Sequence, residues 1–533
     1  MRYNGTFLFS DWLSSVDRRY GDQCRFSCGE DKLSFPALLD ASGHCASILM
    51  EKGLKKDDRV LLLAVNGLDW LVSFFGIILA GGVAVLGNYA MNRHETSLAA
   101  RLAGARWAVL GAEDIFGFQT GSVEEAVCEG GLSPSRILSC RDLYRQSLDV
   151  SRLPGKAFAR LPEAFTCPGD TRVILFTTGS TSLPKAVQLS PEAILTNVCG
   201  AVGLGTRVCG AAGVLALPLF HCFGLAGMLM GMETGCYVCL SREITPQAVL
   251  EMIDQKKASL LMTVGTVCRL LVRLPEFPVK GAGRLKICYL GGSNLTAADL
   301  ETLKKSLGGA SIISGYGLTE CGSVVSMSTE DLPEARRAAS AGRILPCHEV
   351  GIWDKERGFL NPGETGEIVV KGPCLMNGYL GLPQEEQPFD GNGWLHTGDL
   401  GLIAEDGLLE LKGRIKDLIK RAGENIAPGE IEEALLSEPG VADARVFGFP
   451  DPVLGERVEA CVVLQSGGTD ERRLRASLRK MLSPHKIPAH IVALPCFPVS
   501  ANGKIDQIRL RELLAERLGA AFPEKPDTGE QTS

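Results

Sequence analysis

Short apolar runs alternate with amphipathic helical stretches over roughly 400 residues of this chain, a pattern that points to an α/β fold with parallel sheet. Strands are expected at 59–65, 105–110, 173–175, 260–264 and 285–290. Helices are expected between them, including 191–198 and 296–307. In the latter, Thr296 serves as N-cap and Asp299 lies in the first turn. From about Glu349 the texture changes to shorter strands and turns. The runs 367–371 and 408–412 with the Asp406-Gly407 turn read as antiparallel hairpins. After Gly413-Arg414 a basic, polar segment leads into a separate α+β pattern that ends near Leu518.

A chain of 533 residues exceeds what one hydrophobic core organises, so two or more domains are expected. The expected architecture is a large N-terminal domain over 1–413, built of parallel-rich sheets with helices plus a small β-rich subdomain. An α+β C-terminal domain follows over 414–520, and 521–533 is expected to be a disordered tail. The boundary is placed close to 414–417, and no internal repeat is found.

The net charge of −7 leaves no basic footprint and argues against nucleic acid as a partner. The 18 cysteines scatter singly, and the nearest pairs, Cys24/Cys28 and Cys236/Cys239, lack the second pair or nearby histidines of a zinc site. They read as small core residues of a protein in a reducing cytoplasm. No basic region followed by a long apolar stretch marks a signal peptide. The uncharged run from Trp70 to Gly87 raises the question of a membrane span. Gly76, Gly81 and Gly82 interrupt it, so a buried helix, a glycine break and the strand 83–86 are expected, with no transmembrane segment.

Several segments carry chemistry. Phe176-Thr-Thr-Gly-Ser-Thr-Ser-Leu-Pro-Lys185 begins where the strand 173–175 ends, the place where open α/β sheets put ligands. Gly179 allows a tight turn, and the hydroxyls of Thr177, Thr178, Ser180, Thr181 and Ser182 with successive N–H groups can surround a polyphosphate. Lys185 adds a positive charge. No Gly-Lys-Ser/Thr tripeptide is present, so this is not a Walker A loop. Alone, the segment could equally be an ordinary polar turn.

Gly291-Gly292-Ser293 ends another strand, and 311–320 is a strand with the glycine-rich exit Gly315-Tyr316-Gly317-Leu-Thr319-Glu320. The glycines admit a planar ring on which Tyr316 can stack. Thr319 and Glu320 are then placed to meet phosphate and Mg²⁺, which on phosphates takes only one or two carboxylates. Asp399, in Thr397-Gly-Asp399, is a carboxylate of the kind that receives ribose hydroxyls, or else a turn residue. Arg414 follows at the boundary as a second ribose contact. Lys504 sits on the Asn502-Gly503 turn, where a lone lysine is ordinarily solvated surface.

Together these segments resemble the superfamily of adenylate-forming enzymes, which includes acyl-CoA synthetases, peptide-synthetase adenylation domains and firefly luciferase. The resemblance is closest to the acyl-CoA ligases. It runs from about Asp11 to Leu514 through markers in family order: 177–185, Pro218-Leu-Phe-His-Cys-Phe-Gly224, Tyr316-Gly-Leu-Thr-Glu320, Thr397-Gly-Asp399, Gly413-Arg-Ile-Lys-Asp417, 423–432 and Asn502-Gly-Lys504.

The resemblance implies that a carboxylate attacks the α-phosphate of ATP, pyrophosphate leaves, and a thiol then takes the acyl group. It assigns Lys504 to bridge the two anions and Glu320 to Mg²⁺. Thr177–Lys185, Gly291–Ser293, Gly315–Thr319, Asp399 and Arg414 form the nucleotide site. It also implies a mobile C-terminal domain that withdraws Lys504 and presents Lys420, Gly423 and Asn425, with Lys416 at the hinge position. The alternative for Lys416 and Lys420 is a solvated basic edge.

Amino-acid activators of this superfamily place an aspartate after the phenylalanine equivalent to Phe220. Here the neighbour is His221, which joins Lys504 and Lys420 in the expected catalytic set. A buried ammonium without that counter-charge is costly. A fatty or other apolar acid is therefore expected as substrate, with CoA as acceptor. Ser182 and Ala186 replace family glycines, and Gln507 stands where a basic residue is common. These departures bear on the thiol acceptor, so an acyl carrier protein is the alternative to CoA. A catalytically silent nucleotide-binding module is the remaining possibility, against which intact Lys504, Glu320 and Asp399 speak.

Overall fold

The computed structural model describes residues 8–111, 120–149, 167–177, 184–205, 210–275, 277, 284–291, 297–422, 424–465, 469–499 and 505–519, with side chains at 120–122, 297–299 and 425 excepted. The described residues fall into two compact units, one drawn from 1–350 and 370–396, the other from 351–369 and 397–533.

The larger unit holds two sheets. In one, Ile137–Ser139, Trp107–Leu110, Arg59–Leu63, Val83–Leu86 and Val173–Thr177 run parallel in that order. Lys185–Leu189 and then Gly378–Tyr379 extend it antiparallel. In the other, Arg25–Cys28, Tyr237–Leu240, Ala212–Leu215, Leu260–Val264, Ile287–Gly291 and Ser311–Tyr316 run parallel. Antiparallel strands flank this run, Asp31–Ser34 at one end and Ser326–Met327 at the other. Every residue of Val83–Leu86, Leu260–Val264 and Ile287–Gly291 is buried, as a parallel sheet covered on both faces requires.

Helices cover those faces, and their starts follow from local chemistry. Ser190 caps Pro191–Gly203 by accepting from the Ala193 N–H at 3.0 Å, with Pro191 at the first helical position. Asn92 and Glu95 form a capping box at the start of Arg93–Ala103. The uncharged run after Trp70 resolves into the helix Leu68–Leu79, a turn with Gly81 at φ 80°, and the buried strand Val83–Leu86. That helix crosses Phe35–Glu51 so closely that a Cβ on Gly76 would lie 2.5 Å from Cys45 Sγ. Among the described residues no helix is long and apolar enough to cross a membrane.

In the smaller unit, Leu395–Ile403 and Leu408–Arg414 form the expected hairpin, with Gly407 at φ 78° in its turn. Beyond it, Val441–Asp451 and Gly455–Leu464 make a long antiparallel ribbon, to which Ile491–Leu494 adds in parallel and Ile419–Arg421 in antiparallel sense. Helices Pro428–Leu436 and Glu471–Met481 bury Ile431, Leu435, Leu474 and Leu478 against one part of it. Gln507–Leu518 buries Leu510 and Leu514 in a second cluster with Phe449 and Phe497. The molecule is thus mixed α/β, with a large N-terminal part and a smaller C-terminal one.

The cysteines at described positions are free thiols, most of them buried. Burial pushes the Cys45 thiol up to about 12, which suits a packing role.

Candidate active site

In the larger unit, Thr177, Lys185, Gly291 and Gly315, of the expected site residues, lie at the ends of strands. Thr177 and Lys185 are cross-strand partners at the last rung of the ladder between Val173–Thr177 and Lys185–Leu189. Thr178, Gly179, Ser180 and Thr181 belong to the segment linking those two adjacent strands and lie outside the described residues, as do Gly292 and Ser293. Gly291 and Gly315 are register partners at the ends of neighbouring parallel strands.

Sheet extension by Gly378–Tyr379 carries Tyr379 to this edge, a residue the sequence reading did not single out. Lys185 Nζ lies 4.6 Å from the centroid of its ring, within cation–π range. Its hydroxyl donates to Glu320 Oε1 at 2.8 Å. Burial first, and then the Glu320 carboxylate, push the phenol well above its ordinary value, so it stays a proton donor at neutral pH. The only local signal for Tyr379 is the turn-forming Asn377-Gly378 pair before it.

Next to Glu320, the buried Thr319 donates from its hydroxyl to Cys222 Sγ at 3.3 Å. Cys222 opens the helix Cys222–Glu233, and His221 is its N-cap residue, half-buried with Nδ1 3.6 Å from Cys222 Sγ. One residue on, the Phe223 ring lies against Gly291, where a Cβ would stand 2.6 Å from it. The approach to this helix is as tight, since a Cβ on Gly224 would sit 1.9 Å from the Pro218 carbonyl oxygen. Lys185, Tyr379, Glu320, Thr319, the 221–223 segment, Gly291 and Gly315 therefore form one contiguous set.

The glycines of the Tyr316 segment differ in their reasons. A Cβ on Gly317 would lie 1.6 Å from Ser323 O, so the chain's own return past 323 excludes any side chain there. At Gly315 the nearest atom, Ser326 O, would be at an ordinary 3.4 Å, so packing among the described residues does not exclude a side chain there. Tyr316 is buried at the end of its strand.

Behind this segment, Asn197 on the helix Pro191–Gly203 is fully buried. Its Nδ2 donates to Val324 O at 2.6 Å and Cys321 O at 3.2 Å, and its Oδ1 accepts from the Val324 N–H at 3.1 Å. His348 Nε2 reaches the same Val324 carbonyl at 2.9 Å. Burial lowers the His348 pKa, so the ring is neutral at pH 7. The composition contains no obvious sign of Asn197, which acts by holding the loop that follows Glu320.

In the smaller unit, Asp399 and Arg414 are cross-strand partners. The buried Asp399 carboxylate accepts from Arg414 Nε at 2.8 Å, while half of the Arg414 side chain remains exposed. Thr397 Oγ1 accepts from the Asp399 N–H at 3.0 Å and donates to Ile368 O at 2.7 Å, which pins the turn. Lys416 follows in the short 3₁₀ turn Ile415–Asp417. Lys420 is exposed, its N–H bonds Glu456 at 2.6 Å, and it pairs with Asn425 in the Ile419–Arg421/Glu424–Ile426 hairpin. Gly423 and Lys504 lie outside the described residues.

Comparison with known proteins decides the family. The profile of the AMP-binding enzymes matches residues 14–380, well over half of the chain, and that of the AMP-binding enzyme C-terminal domain matches 430–504. The chain belongs to the adenylate-forming superfamily of AMP-binding enzymes. This AMP-binding enzyme is 31% identical over 528 residues to a long-chain-fatty-acid–CoA ligase of Bacillus subtilis, covering 94% of this chain and 93% of the relative. It is also 31% identical over 490 residues to a 2-succinylbenzoate–CoA ligase of Bacillus velezensis, covering 90% and 93%. Among solved structures, ATP-bound MatB from Rhodopseudomonas palustris superposes with a TM-score of 0.82 at 26% identity over 95% of this chain and 98% of that one. The o-succinylbenzoate CoA synthetase of Bacillus subtilis with its acyl-adenylate intermediate gives 0.77 at 26% identity over 93% and 96%.

Proposed function

We propose that this AMP-forming acid–thiol ligase activates an apolar carboxylic acid, a fatty acid or a similar one, with ATP and passes the acyl group from the adenylate to CoA. The observation that carries this reading is the contiguous set from Lys185 through Tyr379 and Glu320 to the 221–223 segment. A cation and a carboxylate stand beside the 221–223 segment at one strand-end edge, and we assign that segment to the acid pocket.

The physical obstacle to the first half-reaction is that carboxylate and triphosphate are both anions. At about 4 Å two unit charges repel by roughly 4 kcal/mol at an effective dielectric near 20. We assign Lys504 to bridge the carboxylate and the α-phosphate, and Lys185 with the 177–185 hydroxyls to hold the departing pyrophosphate. Positioning and charge stabilisation then supply the catalysis, with no covalent enzyme intermediate.

Glu320 fits a magnesium site. Oε1 is engaged by Tyr379 and Oε2 has no protein partner among the described residues, which leaves one carboxylate oxygen for a cation. A Mg²⁺ held there would neutralise phosphate charge while keeping most of its ligands as water and phosphate oxygen. Asp399, steadied by Arg414, would accept the ribose hydroxyls.

For the acid, His221 stands where an amino-acid activator needs a carboxylate, and Phe220 beside it is buried edge-to-face on Tyr89 with ring centroids 5.4 Å apart. That apolar surround favours an uncharged acyl chain. We assign residues 414–520 to the mobile domain, Lys416 to its hinge, and Lys420, Gly423 and Asn425 to the thioester-forming face. A reducing cytoplasm suits the free thiols.

Carboxylate-dependent ATP–pyrophosphate exchange across fatty, aryl and amino acids tests the reading, repeated with CoA to detect thioester. Apolar acids support exchange and amino acids do not; exchange with amino acids alone would overturn the substrate assignment. Lys504→Ala abolishes exchange with the fold intact, and undiminished exchange would remove its role. Gln507 is exposed at the start of Gln507–Leu518. Thioester formation on a phosphopantetheinyl carrier protein, with none on free CoA, would favour the carrier as acceptor.

A further inference from the structure

Behind the loop that follows Glu320, two cysteines and a histidine meet whose chemistry the adenylation site does not use. Cys347, His348 and Cys374 place their ligand atoms within 4.8 Å of one another. His348 and Cys374 are buried and Cys347 is half-buried, so one side of the cluster has a route from solvent. Glycines make the convergence possible. A Cβ on Gly372 would lie 2.5 Å from Cys347 O, and one on Gly200 would lie 2.8 Å from Cys347 Sγ. Both close approaches bring the chain at 372–374 and the helix Pro191–Gly203 up to Cys347.

The state of the imidazole follows from its surroundings. His348 Nε2 is 2.9 Å from Val324 O and 3.2 Å from Asn197 Nδ2, and that Nδ2 donates to the same carbonyl. A bare nitrogen lone pair at 2.9 Å from a carbonyl lone pair would be repulsive, so Nε2 carries the hydrogen and donates it. Nδ1 then holds the lone pair. His348 is only 8% exposed, and Nδ1 has no hydrogen-bond partner among the described residues. Buried polar atoms are rarely left this way. An imidazole whose far N–H is fixed by a backbone carbonyl is the usual arrangement of a metal-ligating histidine.

We propose that Cys347 Sγ, Cys374 Sγ and His348 Nδ1 form a zinc site, separate from the magnesium position at Glu320. Two thiolates and an imidazole match zinc in ligand type, and hard cations such as Mg²⁺ prefer oxygen. On binding, each thiol releases its proton to solvent, and the ion with two thiolates and a neutral imidazole carries no net charge, which suits a buried position. A water on the open side at Cys347 completes a tetrahedron. Through Nε2 the bound histidine anchors Val324, so occupancy stiffens the loop that follows Glu320.

The test uses the full-length protein, purified without a metal-affinity tag and stripped by chelation. Titration with Co²⁺ should give thiolate-to-cobalt charge-transfer absorption and tetrahedral visible bands that saturate at one equivalent, and Zn²⁺ should displace them. Cys347→Ser, a near-isosteric change at a half-buried position, should weaken zinc binding by more than the ~10–100-fold that loss of a supporting partner costs. His348→Ala should abolish the bands. Cys496→Ser, an exposed cysteine on the other unit, should leave them unchanged and controls for adventitious thiol binding. Absence of bands in the parent protein, or bands that persist in both Cys347→Ser and His348→Ala, would overturn the site. The readout is spectroscopic, so it stands or falls independently of the ligase reading.

Discussion

Tyr379 donates its hydroxyl to Glu320 Oε1 at 2.8 Å although the two residues lie 59 positions apart. The bond aims the carboxylate, and the ring that makes it also lies under Lys185. Tyr379→Phe keeps the ring and removes the donor. A hydrogen bond to a charged group contributes about 1.5–3 kcal/mol, so exchange activity should fall roughly 10–100-fold. The Mg²⁺ dependence should shift to higher concentration while the unfolding temperature stays nearly constant. A large loss of stability with unchanged Mg²⁺ dependence would mean that the bond is structural only.

Asn197 holds three backbone groups of the 321–324 segment. Asn197→Ala leaves the buried Val324 N–H without its acceptor and should cost about 2–4 kcal/mol of stability. Because the loop leads from Glu320, the KM for ATP should rise as well. Denaturant unfolding and exchange kinetics on the same preparation would check both.

Gly315 and Gly317 should respond differently to alanine. Gly317→Ala forces a Cβ to within 1.6 Å of Ser323 O and should destabilise the protein by about 3 kcal/mol or more. Gly315→Ala meets only an ordinary contact, so the fold should survive within about 1 kcal/mol while nucleotide affinity drops. Thermal melts with and without ATP separate the two.

Lys420→Ala should spare exchange and lower thioester formation, since its assigned role belongs to the second half-reaction. Equal losses in both assays would count against a rotating C-terminal domain.

Glu432 offers a test of pH dependence. Burial, the leading cause, raises its pKa above the ordinary carboxylate value, although Arg445 opposes the shift and the Val446 N–H bonds it at 3.0 Å. The folded state therefore binds this proton more tightly than the unfolded state. Its contribution to stability is greatest below the unfolded pKa and is lost as pH rises through the folded one. Glu432→Gln keeps the acceptor for Val446 and should raise the unfolding temperature at pH 7, with the gain shrinking as the pH is lowered into the carboxylate range.

Much of the architecture could be read from local pattern. The runs at 59–65, 173–175 and 260–264 are apolar over the length of a strand, and the strands Arg59–Leu63, Val173–Thr177 and Leu260–Val264 occupy them. Ser190-Pro191 announces a helix start because an N-cap hydroxyl and a preset φ act within a few residues. Lys185, His221, Glu320 and Asp399 stand out as candidates because each stands in a short motif whose chemistry is local.

The partners of those groups were not visible in this way. Tyr379 reaches Glu320 because Gly378–Tyr379 adds to the edge of a sheet whose neighbouring strand lies nearly 200 positions earlier. Asn197 meets Val324, and Cys374 meets Cys347, only where separate elements pack. Hydrophobic period and capping act over a few residues and write themselves into the sequence. Sheet order, strand register and the close approaches at Gly317, Gly372 and Gly200 depend on every element at once, so the folded chain alone brings these side chains together.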